Sequence, residues 1–219
     1  MKSNIKAKAY IFDFDGTLVD SMPTFVSVMK RILDENHIPY GDDLIKIITP
    51  LGYAGTAEYY IRLGLDMKKE DIITLAGRYA YDDYVYRIEA KQTVVDALRV
   101  LKARGASLNV LTASPHAVLD PCLKRIGIYD LFDNVWSCDD FNTSKADPAI
   151  YHMAAERMGV PVERVLFLDD NYNADKTAAA AGMTVCGVYD DSSAAFVDEI
   201  KSVTHFYINT FAELPAIVW

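Results

Sequence analysis

Two aspartates one residue apart, Asp13 and Asp15, end the apolar run Ala9-Tyr10-Ile11-Phe12 and are followed by Gly16-Thr17. A short run of β-favouring apolar residues reads as a strand buried on both faces, as in parallel sheets. Residues i and i+2 of a strand point the same way. The two carboxylates are therefore expected side by side at the carboxyl end of that strand. Such a pair is costly unless a cation or a proton compensates it, and open α/β sheets bind ligands at their carboxyl strand ends. A carboxylate can serve as a covalent nucleophile. A second one nearby can protonate a leaving oxygen and then activate water. A surface Asp-Gly turn also accounts for the pair, but it requires neither an apolar strand leading into it nor further chemical groups at later strand ends.

Three such groups follow. Thr112-Ala113-Ser114-Pro115 comes after the apolar strand Ser107–Leu111. Ser114 and Pro115 suit the N-cap and first position of a helix, and a helix N-terminus attracts anions. Lys145 lies in Ser144-Lys145-Ala146-Asp147-Pro148-Ala149-Ile150-Tyr151; taken alone, it reads as a solvated loop lysine. Asp169-Asp170-Asn171 ends another apolar strand, Val165–Leu168. One aspartate there could cap the next helix, but two beside an apolar strand ask for another explanation. Asp175 suits either a helix-start carboxylate or a group behind a metal ligand.

The segment Phe12-Asp13-Phe14-Asp15-Gly16-Thr17-Leu18-Val19-Asp20-Ser21 resembles the nucleophile motif of the haloacid dehalogenase superfamily, in particular its capped phosphatase branch. The phosphoglycolate phosphatases and beta-phosphoglucomutases are the members it is most similar to. The resemblance implies Asp13 as nucleophile and Asp15 as general acid and base. It implies Lys145 as the cation that neutralises the transferring phosphoryl group, although Ala146 stands where the family often has a second proline. Thr112 with the Ala113 N–H, together with Gly16, Thr17 and Ser114, would then contact the substrate. Mg²⁺, which favours oxygen ligands, would be held by Asp13, the Asp15 carbonyl and Asp170, with Asp169 in support. Asp15 and the Asp169-Asp170 pair argue against the dehalogenating and phosphonate-cleaving relatives. Phe25, at a position where the mutase carries a histidine, argues for a phosphatase. Phosphotransfer to another acceptor and a non-catalytic phosphate-binding module are the alternatives.

The chain's 219 residues allow one core with a smaller insert. Its 51% hydrophobic and 24% charged content is that of a folded globular protein. A net charge of −9 disfavours a nucleic-acid partner, while a metal and one lysine can make a pocket locally positive for a small phosphorylated metabolite. There is no apolar run of bilayer length, and Met1–Lys8 lacks the apolar region of a secretory signal. Cys122, Cys138 and Cys186 show no metal-ligand spacing and read as buried residues of a reduced, cytoplasmic protein. Monomer and dimer are equally compatible with the sequence.

After Ser21, apolar residues recur at helical spacing: Met22, Phe25, Val26, Met29, Ile32 and Leu33. Ser21 and Pro23 suit the start of that helix. Further helices are expected at Asp43–Ile48, Gly55–Leu63 and Lys69–Ile88, with no strand. From Gln92 onward, helices alternate with strands near Ser107–Leu111, Asn134–Trp136, Val165–Leu168, Thr184–Val188 and His205–Ile208. That alternation implies an α/β fold with a doubly wound, Rossmann-like parallel sheet. Residues 1–20 and 90–219 would form the core. Residues 21–89 would form an all-helical cap that, in the resembling family, closes over the active site. The insert's tyrosines (Tyr53, Tyr59, Tyr60, Tyr79, Tyr81, Tyr84, Tyr86) and Arg62, Arg78 and Arg87 are expected either to pack it or to select substrate.

Overall fold

The computed structural model describes residues 9–217. The N-terminal segment through Lys8 and the last two residues, on which part of the reading above falls, lie outside them. The chain divides into two compact units, Met1–Asp20 with Glu89–Trp219 and Ser21–Ile88.

The second unit contains helices and no strand among its described residues. It comprises α1 (Met22–Glu35), α2 (Leu44–Ile48), α3 (Gly52–Arg62) and α4 (Lys69–Tyr86). α4 packs against α1 and α3. One stripe of α1, formed by Phe25, Val28, Met29, Ile32 and Leu33, is buried, as period-3.6 patterning requires. Ser21 holds the N-cap position without a side-chain capping bond. The tyrosines divide: Tyr60 and Tyr84 are core residues, whereas Tyr81 and Tyr86 are exposed. The Tyr60 hydroxyl donates to the Met29 carbonyl at 3.0 Å.

The first unit is built on a six-stranded, all-parallel sheet. Its strands are β1 (Ala9–Phe12), β2 (Ser107–Thr112), β3 (Asn134–Ser137), β4 (Val165–Asp169), β5 (Thr184–Val188) and β6 (Phe206–Ile208), in the order β3-β2-β1-β4-β5-β6. Connecting them are α5 (Val94–Ala103), α6 (His116–Arg125), α7 (Ala149–Arg157), α8 (Tyr172–Ala180) and α9 (Val197–Val203), and the short α10 (Leu214–Ile217) follows β6. Every residue of β1 and β4 is buried, which explains why their sequences are continuous apolar runs instead of alternating ones. On one face Ile11, Val165, Phe167 and Val185 pack with Tyr151 and Ala154 of α7 and Ala174 and Ala178 of α8. On the other, Phe12 meets Phe132 and Phe211, both with centroids at 6.2 Å. This is the doubly wound, Rossmann-like architecture. The strand order reverses between β1 and β4, and open α/β sheets form their ligand crevice at such a switch point, at the carboxyl strand ends.

Candidate active site

β1 and β4 run in register, with Phe12 opposite Leu168, and the Asp13 N–H extends the ladder by donating to the Leu168 carbonyl at 2.9 Å. Asp13 therefore lies beside Asp169 at the switch point. The strand ends there. The chain folds back on itself, the Leu18 and Val19 N–H groups donating to the Phe14 carbonyl at 2.9 and 3.1 Å. Strand alternation consequently does not set the direction of Asp15, contrary to expectation. Its carboxylate instead accepts the Ser114 hydroxyl at 2.5 Å, while Asp13 pairs with the Lys145 ammonium. Gly16 completes the turn at φ +73°, where a side chain would be strained. A Cβ at Gly16 would also lie 2.6 Å from an Asp170 carboxylate oxygen, so only glycine allows the loop to approach Asp170 this closely.

Lys145 bridges Asp13 and Asp169, its Nζ 2.8 Å from Asp169 Oδ2. The other Asp169 oxygen accepts the Asn171 N–H at 2.8 Å. Asp170 Oδ1 accepts the Thr17 hydroxyl at 3.2 Å. Ligand oxygens of Asp13, Asp169 and Asp170 lie within 4.8 Å of one another, all buried. Burial pushes the Asp13 carboxyl up to about 8; Lys145 pulls it down, against Asp169 and Asp15. Burial, Asp169 and Asp13 likewise hold Asp170 well above the usual carboxylate range. Burial opposes the charge on Lys145, yet Asp13 and Asp169 keep it well above its ordinary value. The cluster thus has more carboxylate than its one ammonium offsets. Hard oxygen donors, close spacing and surplus negative charge fit a divalent cation of the Mg²⁺ type.

The supporting shell comes from later strand ends. Thr112 is buried and its Oγ1 accepts the Ser114 N–H at 3.0 Å, so its own proton remains available to donate. α6 begins one residue later than the Ser114-Pro115 pair suggests: Pro115 holds the N-cap position, which releases the Ser114 hydroxyl for Asp15. Ala113 between them is exposed. The Tyr151 hydroxyl spans the carbonyls of Lys145 and Ala174 at 3.0 and 3.1 Å, tying the lysine loop to α8. Asn171, not an aspartate, caps α8 by accepting the Asn173 N–H at 2.9 Å.

Two further charged residues lie in this region, one whose role the sequence left open and one that no sequence signal marks. Asp175 is fully buried on α8, and neither of its oxygens has a hydrogen-bond partner among the described residues. Burial, with Asp169 and Asp170 nearby, holds its carboxyl well above the usual range. Lys91 lies in the polar segment before α5, where no hydrophobic period or motif marks it. It nevertheless reaches the loop after β1. All three cysteines are buried and none forms a disulfide.

Residues 7–182 match the family described as haloacid dehalogenase-like hydrolase. The chain belongs to that family. Among curated relatives, it is 26% identical over 184 residues to "Pyrophosphatase PpaX" of Bacillus velezensis, covering 84% of this chain and 83% of that protein. It is 28% identical over 210 residues to "Phosphoglycolate phosphatase" of Salmonella typhimurium, covering 84% and 81%. Among solved structures, it resembles CbbY of Rhodobacter sphaeroides in complex with xylulose-(1,5)bisphosphate, with a TM-score of 0.80, 18% identity and coverage of 97% and 100%. No described helix of this family member is long and apolar enough to cross a membrane.

Proposed function

We propose that this chain is a Mg²⁺-dependent phosphatase that hydrolyses a small phosphate monoester through an aspartyl-phosphate on Asp13. The observation that carries this reading is the cluster of aspartates around Lys145 at the β1–β4 switch point. There one buried aspartate is paired with a buried lysine, and a second, two residues on, is held apart by a serine hydroxyl. Environments that separate two carboxylates in this way assign them different roles. Relatives named for phosphatase activity support the reaction class.

Asp13, Asp170 and the Asp15 carbonyl would hold Mg²⁺, with Asp169 in support. Bound there, the cation would offset negative charge on the carboxylates and the phosphoryl oxygens. In the first step an Asp13 carboxylate oxygen bonds to phosphorus while the ester P–O bond breaks. Asp15 gives its proton to the departing alcohol oxygen. In the second step Asp15 takes a proton from water, the water oxygen bonds to phosphorus, and the P–O bond to Asp13 breaks. Phosphate leaves and both carboxyls return to their starting states. Lys145, held between Asp13 and Asp169, stabilises the charge that develops on the phosphoryl group. Thr112 donates its free proton, and the Ala113 N–H a second hydrogen bond, to the phosphoryl oxygens. Gly16 and Thr17 form the floor, and Ser114 orients Asp15. The fit is to a small phosphorylated metabolite acted on in the cytoplasm.

The test is release of inorganic phosphate from p-nitrophenyl phosphate and a panel of small phosphate esters. Wild type and Asp13→Asn are compared, each with Mg²⁺ and with chelator. Release by wild type with Mg²⁺ alone is expected. Equal release by Asp13→Asn, or by wild type in chelator, would contradict the mechanism.

A further inference from the structure

Lys91 makes the most connected contact near the crevice that the mechanism above does not use. Its backbone N–H donates to the Leu18 carbonyl at 3.0 Å, anchoring it beside the loop that follows β1. Its ammonium is mostly buried, with 19% of the side chain exposed. It donates to the Gly16 carbonyl at 2.7 Å, the Tyr189 carbonyl at 2.6 Å and Asp190 Oδ2 at 3.0 Å. An ammonium has three protons and no acceptor, so these three partners saturate it. The partners are themselves fixed. Asp190 Oδ1 accepts the Ser192 N–H at 2.9 Å, and the Tyr189 N–H donates to Ile208 of β6 at 2.9 Å. Lys91 therefore bolts the loop after β1 to the loop after β5, across the carboxyl end of β4.

The bolted atom matters because of what flanks it. Gly16 lies directly between Asp15 and Thr17, and it is pressed against the Asp170 carboxylate. The 16–17 peptide is planar, so its N–H points opposite to its C=O. Holding the Gly16 carbonyl fixes the rotation of that whole peptide. That in turn sets where Thr17 begins, and the Thr17 hydroxyl is the group that donates to Asp170. The left-handed φ at Gly16 gives this loop unusual backbone freedom, and a glycine hinge between two functional residues needs an external restraint.

We propose that Lys91 is a positioning residue for the reaction: by gripping the Gly16 carbonyl it fixes Asp15, Thr17 and Asp170 relative to Asp13. The proposal rests on the hydrolase reading above, and it places part of the control of turnover outside the residues that touch phosphate. Misplacement of catalytic groups by about 1 Å can cost on the order of 100-fold in rate. A group that acts only through geometry should lower kcat and leave KM nearly unchanged.

The experiment compares wild type, Lys91→Met, Lys91→Gln, Lys91→Arg and Asp190→Asn on p-nitrophenyl phosphate with Mg²⁺, alongside ¹⁵N amide spectra of the full chain. Lys91→Met is expected to lower kcat by roughly 30- to 100-fold with KM within about threefold. The Gly16 and Thr17 amide resonances should move while those of β2 and β3 stay in place. Lys91→Arg should recover part of kcat. Asp190→Asn, which leaves both carbonyl contacts in place but removes the counter-charge of a mostly buried ammonium, should lower thermal stability while reducing kcat less than Lys91→Met does. If Lys91→Met does not fold, Lys91→Gln is read on the same scale. Loss of fold in both neutral variants would assign Lys91 to stability and overturn the proposal. So would a kcat within about twofold of wild type, or unmoved Gly16 and Thr17 resonances. Those outcomes leave the hydrolase reading standing, because wild type is active in them. Wild type inert on every ester would overturn the hydrolase reading itself, and the catalytic role of Lys91 with it.

Discussion

Two charge clusters in this chain use similar ingredients in opposite surroundings. At the switch point, Lys145 lies between Asp13 and Asp169, all three with side chains at most 14% exposed. In the helical unit, Arg31 donates to Glu35 at 2.8 Å, with 55% and 45% of these side chains exposed. The Arg31 guanidinium stacks 3.8 Å over the Tyr79 ring, and the Tyr79 hydroxyl also donates to Glu35. In water the Coulomb attraction is screened and opposed by side-chain entropy, so the exposed cluster contributes little. Away from water the same charges are strongly coupled, and each unpaired one is costly. The geometry of a salt bridge therefore says little about its role; its solvent decides.

That contrast can be tested from its strongest side. Lys145→Met is expected to lower kcat on the order of 100- to 1000-fold, because the phosphoryl charge loses its buried cation. It should also cost about 3 kcal/mol in urea unfolding at neutral pH, since Asp13 and Asp169 remain buried without a counter-charge. A stability equal to wild type would show that the crevice is wetter than its burial implies.

Asp175 sharpens the comparison in the opposite direction, as a buried carboxyl with no hydrogen-bond partner among the described residues. Asp175→Leu is expected to stabilise the fold by about 1–2 kcal/mol at neutral pH. The sign follows from its raised carboxyl. The unfolded chain ionises near pH 3.9, whereas the folded one resists ionisation, so wild type loses stability as pH rises above that point. The gain from Asp175→Leu should accordingly grow between about pH 4 and pH 7 in denaturant titrations. A gain independent of pH would mean that Asp175 is satisfied in solution.

His116 stands between the two extremes. Its ring nitrogens lie 2.8 Å from Asp120 and 2.9 Å from Asp140, on a side chain 40% exposed. The hydrogen bonds to Asp120 and then Asp140 raise its pKa. A raised histidine contributes stability fully below the unfolded value of about 6.5, and loses it as pH rises through the folded value. The Tm gap between wild type and His116→Gln should thus be widest near pH 6 and close toward pH 9. Arg31→Ala, at the exposed end of the series, should leave Tm and kcat unchanged within error.

The sheet was legible because β1, β4 and β5 are continuous apolar runs, and Ala9–Phe12 and Thr184–Val188 hold in the structure to the residue. Helix starts were less so. α6 begins beyond Ser114, whose hydroxyl is drawn to Asp15, a partner 99 residues away. β6 begins at Phe206 because His205 meets Val185 partly through its ring, whose Nδ1 accepts the Val185 N–H at 3.1 Å. The aspartates could be found because they interrupt apolar strands. Lys91 could not, since its partners at Gly16, Tyr189 and Asp190 are joined to it only by the fold, and two of its three contacts are to backbone carbonyls that any sequence provides.

The covalent role of Asp13 is tested most directly with Asp15→Asn and p-nitrophenyl phosphate. Nitrophenolate is a good leaving group and needs little help from an acid, whereas hydrolysis of the aspartyl-phosphate needs Asp15 as base. Mixing in excess substrate should release about one nitrophenolate per chain in a burst and then stall. Acid quenching followed by peptide mass spectrometry should find a phosphoryl group on Asp13. A wild type that turns over, beside an Asp15→Asn variant with neither burst nor phosphorylated Asp13, would contradict the covalent mechanism.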